Sequence, residues 1–108
     1  MEIINLGEQK SVLNQYIIEI RDQVIQKDSM KFRKNLERIG EFIACEISKR
    51  LDYTPIEVTT PLGIAQTTTY ENNIVIASIL RAGIPLHDGI LNVFDRAQNA
   101  FIGAYRKY

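Results

Sequence analysis

The sequence has one cysteine, one histidine and three prolines in 108 residues, and its thirteen basic side chains are matched by thirteen acidic ones. Each scarcity closes off a class of function. Cys45 alone can form neither an internal disulfide nor a clustered thiolate metal site, and within a helical pattern it reads as a small buried apolar residue. His87 alone defines neither a metal site nor a base, and is expected on the solvent face of a helix. Zero net charge argues against a broad electrostatic surface for nucleic acid, so an anion site must be local. No apolar run approaches the roughly 20 residues that span a bilayer, which speaks against a membrane protein. Met1 to Glu8 has neither the basic start nor the apolar core of a signal peptide, so a cytoplasmic location is the expectation. No repeat, low-complexity tract or linker interrupts the chain.

What is present fits one globular domain, with 45% hydrophobic and 24% charged residues. It divides into a helical region (1–52), a β-hairpin (53–71) and a β-α-β core (72–108). Ser11 can cap a helix whose stripe is Leu13, Ile17, Ile20 and Val24. Asp28 or Ser29 can cap a longer one with Phe32, Leu36, Ile39, Ile43, Ile47 and Leu51 at helical spacing. The charges on its other side, Lys31 and Arg33 among them, read as a solvated face rather than a regulatory nucleotide or partner site. Ile56 to Thr60 and Ile64 to Tyr70 read as strands joined at Pro61-Leu62-Gly63, with Thr67 to Thr69 suiting an edge or subunit contact.

The densest signal is the run Ile74 to Leu80, β-branched and apolar enough for a central strand buried on both faces. Arg81-Ala82-Gly83 ends it. Gly83 permits backbone angles closed to other residues, and Pro85 suits the first turn of a helix. That helix carries Leu86, Ile90, Val93, Phe94 and Ala97, and is followed by another buried strand from Asn99 to Arg106. A right-handed parallel crossover brings both strand ends to one edge, and with them Arg81 and Arg106. Asp88 and Asp95 read as surface charges, Asp88 near the positive helix N-terminus; Tyr105 reads as core or dimer contact. Ligands in open α/β sheets bind beyond the strand C-termini, where guanidinium pairs with phosphate oxygens. From the residues alone, a phosphate site and ordinary surface arginines both fit.

Ile79-Leu80-Arg81-Ala82-Gly83, the helix after it and Ala104-Tyr105-Arg106 resemble the uracil phosphoribosyltransferase family, type I phosphoribosyltransferases of pyrimidine salvage. Lys31-Phe32-Arg33 at the start of a long helix and the hairpin through Pro61-Leu62-Gly63 extend the likeness. The resemblance implies an α/β fold: N-terminal helices, a hairpin and the first β-α-β unit of an incomplete parallel sheet. It implies transfer of ribose 5-phosphate from 5-phosphoribosyl 1-diphosphate to uracil, giving UMP and diphosphate, with Mg²⁺ on the diphosphate. Carried over, Arg81, Ala82, Gly83 and Arg106 would bind the phosphoribosyl donor; no side chain is assigned as nucleophile or metal ligand. Related enzymes often hold the arginine loop with a non-proline cis peptide. Some are activated by guanosine triphosphate near the long N-terminal helix, where Lys27, Lys31 and Arg33 are the candidates.

The family's acidic pair with its Thr-Gly loop for the 5-phosphate, and its uracil-recognition segment, have no match among these residues. The chain is therefore expected to be a truncated half that does not catalyse the transfer alone, rather than a natural half-length binding protein. The last strand, ending at Arg106-Lys107-Tyr108 without a capping element, leaves a sheet edge open, and the family is dimeric; a homodimer is expected. Two other readings stand beside the enzyme: a non-catalytic nucleotide-binding or regulatory module, which needs a basic face the charge balance does not supply, and a structural dimerisation domain.

Overall fold

The protein, in a computed structural model, is described over residues 1–107; Tyr108, assigned above to the end of the last strand, lies outside the described residues. Its elements are α1 (Leu13–Arg21), α2 (Ser29–Ser48), β1 (Tyr53–Thr60), β2 (Gly63–Tyr70), β3 (Val75–Leu80), α3 (Ile84–Val93) and β4 (Gln98–Gly103).

Short polar side chains set the helix boundaries. Ser11 Oγ accepts from the Leu13 N–H at 3.2 Å, and Asp28 Oδ1 from the Lys31 N–H at 3.1 Å, each satisfying a first-turn donor. The stripe of α1 was expected to reach Val24. It stops earlier because Asp22 takes an extended conformation and its Oδ1 accepts from the N–H groups of Val24 (2.8 Å) and Ile25 (3.1 Å). Those bonds hold the Asp22 carboxyl below its ordinary pKa and leave Val24 exposed.

On α2 the apolar stripe is only partly buried. The residues it buries are Asn35, Gly40 and Ala44, because the helix serves two neighbours. Toward α1, Asn35 Nδ2 donates to Glu19 and accepts at Oδ1 from Arg38, while Tyr16 packs on Phe42. Toward α3, Gly40 meets Gly89. A Cβ on Gly40 would lie 2.5 Å from the Leu86 carbonyl oxygen, and one on Gly89 would overlap the Glu37 carbonyl oxygen. Only glycines allow this approach. Cys45, expected inside, is exposed, on the wall of a surface pocket it shares with Leu13 and Phe42.

β1 and β2 pair antiparallel from Tyr53↔Tyr70 to Thr60↔Gly63, longer at the base than expected. Gly63 takes φ +135° at the turn, where a side chain would be strained. The hairpin gives the molecule its length of 58 Å against 34 and 33 Å across. β3 and β4 pair in parallel, and α3 covers one face of them. The expectation of buried strands therefore fails: in β3 Ile76 is buried but Val75 and Ile79 are 58% and 59% exposed, and in β4 Phe101 and Ile102 are exposed too. The core beneath is Ala44, Ile76 and Phe94, with Tyr70, Ile74 and Ile90 against it. The α/β architecture, helices then hairpin then β-α-β, is the one expected. Among the described residues no helix is long and apolar enough to cross a membrane.

Candidate functional site

The β3–β4 register sets Val75 opposite Gln98 and Leu80 opposite Gly103, so the two strands end side by side. Arg81 follows β3 directly. β4 ends at Gly103 rather than at Arg106, so Arg106 stands on a three-residue extension beyond the sheet. Arg81, Ala82 and Arg106 are exposed and Gly83 is partly buried. Among the described residues no ion pair involves either arginine.

The loop turns tightly, with the Gly83 N–H on the Ile79 carbonyl at 3.1 Å and the Ile84 N–H on that of Arg81 at 3.1 Å. The Leu80–Arg81 peptide is cis. Gly83 was expected to supply unusual backbone angles, but its φ of −75° is ordinary. Its smallness is what matters: a Cβ there would stand 2.8 Å from the Ile79 carbonyl oxygen. No side chain caps α3, and Pro85 occupies its first turn. The Ile84 N–H is taken by the Arg81 carbonyl, Pro85 has none and the His87 N–H bonds the Gly83 carbonyl, so what the helix start adds beside Arg81 is mainly its positive dipole, which favours phosphate oxygens.

The other candidates separate. Lys31 lies 2.9 Å from Glu19, while Arg33 borders a groove of about 490 Å³ with Met30, Glu37, Pro85 and Asp88. Asp88 is exposed and lies beyond the first turn of α3, not at the N-terminus where it was expected. Tyr105 is 91% exposed, so it is not core. Among the described residues no three His, Cys, Asp or Glu side chains gather as metal ligands. The rim offers guanidinium and N–H groups, donors for an anion and not ligands for a cation.

His87 is the residue the sequence reading misplaced. It is 3% exposed rather than solvent-facing, with Nε2 2.6 Å from Asn99 Oδ1 and its ring stacked on Phe101. A signal existed. His87, Ile90 and Phe94 fall at i, i+3 and i+7, the face of α3 that packs on the sheet.

The family model for uracil phosphoribosyltransferase matches residues 8–108. The chain belongs to this family. It is 51% identical over 108 residues to a uracil phosphoribosyltransferase of Porphyromonas gingivalis, covering all of this chain and 50% of that one. It is 41% identical over 101 residues to one of Sulfurisphaera tokodaii, covering 91% of this chain and 46% of the relative. The chain thus spans about half the length of the curated relatives it matches. The solved structure of the AQ2163 protein from Aquifex aeolicus superposes with a TM-score of 0.74 at 26% identity, over 92% of this chain and 47% of that one.

Proposed function

We propose that the protein takes part in uracil phosphoribosyl transfer, and that the residues described here form the donor side of the site. Arg81, the backbone of Ala82 and Gly83, and Arg106 bind 5-phosphoribosyl 1-diphosphate, whose ribose 5-phosphate passes to a ring nitrogen of uracil as diphosphate leaves, giving UMP. The observation that carries this reading is the tight glycine loop at the end of β3, with an uncapped helix and an unpaired arginine, in a chain of this family. Displacement at the anomeric carbon builds positive character on the ribose and negative charge on the leaving group. Cations held at the diphosphate meet that need, and no side-chain nucleophile is required. Mg²⁺ fits as an ion carried on the diphosphate oxygens, since the protein groups at this rim are themselves cationic or N–H donors.

The protein acts in the cytoplasm and as a homodimer. Supporting the dimer, a two-stranded ribbon is marginal alone, and β1–β2 exposes Ile56, Val58 and Ile64. Isothermal titration with 5-phosphoribosyl 1-diphosphate and Mg²⁺ should show binding that Arg81→Ala weakens; equal affinity in the variant would refute the assignment. Sedimentation should give twice the chain mass of 12.4 kDa, and a monomer at micromolar concentration would refute the dimer.

A further inference from the structure

We infer that His87 is a positioning residue for the Arg81 loop, acting through Asn99; the inference rests on the donor-site reading above. Several observations carry it. His87 lies one helical turn after Gly83, and its N–H bonds the Gly83 carbonyl at 3.0 Å, so the ring is anchored to the turn that ends the loop. Its Nε2 is 2.6 Å from Asn99 Oδ1 on β4. That oxygen only accepts, so the ring presents Nε2–H as donor. The imidazole also stacks on Phe101, with centroids 4.9 Å apart and planes at 25°. Phe101 is the register partner of Ser78 on β3, and Ser78 Cβ lies beneath Gly83.

One side chain therefore ties the first turns of α3 to the strand that leads to Arg106. Backbone pairing already aligns β3 with β4, but it does not fix how α3 and its loop sit over them. The tie has a single polar attachment: His87 Nδ1 is buried without a hydrogen-bond partner among the described residues, as is Ser78 Oγ. Removing the Asn99 acceptor releases the imidazole's only hydrogen bond and leaves the stack. A shift of the loop by a fraction of an ångström then moves the groups that grip the diphosphate relative to Arg106.

His87 is the only histidine, so the imidazole ¹⁵N spectrum of the whole chain contains one residue. The expected spectrum is that of the Nε2–H form, and Asn99→Ala should shift it. Titrating wild type with 5-phosphoribosyl 1-diphosphate and Mg²⁺ should move the His87 ring signals, and Arg81→Ala should weaken that response. His87→Phe, which keeps a stacking ring, and Asn99→Ala should bind the donor about tenfold more weakly with unchanged melting temperature. His87→Gln, whose amide can donate to Asn99, should recover part of the affinity. Donor binding with an unresponsive His87 ring and wild-type affinity in both variants overturns this inference and leaves the donor site standing. Affinity losses that only follow losses in melting temperature also overturn it, because they mark a packing role. No donor binding by wild type overturns the donor-site reading, and this one with it.

Discussion

On the helical layer Lys31 lies 2.9 Å from Glu19, and Lys49 and Arg50 each lie 3.0 Å from Glu46, whereas at the end of β3 no ion pair among the described residues involves Arg81. Both regions hold exposed cations, yet their surroundings differ. Glu46 stands three and four residues before its partners, and Glu19 reaches across from α1. The rim has no such arrangement: the loop after β3 is three residues long, begins with Arg81 and contains no carboxylate. A cation whose counter-charge is built into the chain contributes to the fold, weakly when exposed. One left without a counter-charge beside the positive end of a helix is set for an anion from outside.

Three changes would break or sharpen this contrast. The largest effect is expected from Gly89→Ala, which drives a methyl group into the Glu37 carbonyl and separates α2, with its paired cations, from α3, with its loop. Overpacking of this kind costs about 3 kcal/mol. Chemical denaturation should show it, and an unchanged midpoint would mean that the helices do not depend on this close contact. Next, Arg81→Ala should weaken donor binding by about 2 kcal/mol, the worth of a charged hydrogen-bonded contact, while leaving the melting curve in place. A stability loss equal to the binding loss would erase the distinction between the two regions.

The smallest effect is expected from Lys31→Ala, below about 1 kcal/mol on stability and nil on donor affinity. Its pH dependence has a definite sign. The hydrogen bond from Lys31, with further help from its charge, Asn35 and Arg38, holds the Glu19 carboxyl below its ordinary pKa. A carboxyl lowered in the folded state stabilises fully above the unfolded value of about 4.3 and loses that contribution as pH falls through the folded value. The melting difference between wild type and Lys31→Ala should therefore be present at neutral pH and vanish on acidification. A difference that grows in acid would show that Lys31 stabilises by some other route.

Local patterns were readable where a single element decides the outcome. Asp28 as a cap, the hairpin turn at Pro61-Leu62-Gly63, the helical period of α2 and the strand-loop-helix around Arg81 all follow from short-range chemistry. Prediction failed where a second element decides. Cys45 and His87 exchange their expected places because burial depends on which helix face meets a neighbour, and helical spacing around one residue does not name that neighbour. Gly83 has the right identity for the wrong reason: its need is space against Ile79, which exists only once the loop folds back. β3 carries the apolar composition of a doubly covered strand, but among the described residues α3 covers one of its faces.

The amino-acid sequence alone determined the order of elements, the helix starts, and the position of Arg81 at a strand end with a glycine two residues on, because capping, period and turn chemistry act over a few residues. Tertiary structure alone decided that β3 and β4 end side by side, that Gly40 and Gly89 bring α2 against α3, and that the only histidine is stacked beneath the loop against Asn99 and Phe101. These are contacts between residues up to about fifty positions apart, set by strand register and helix approach, and no local spacing encodes them.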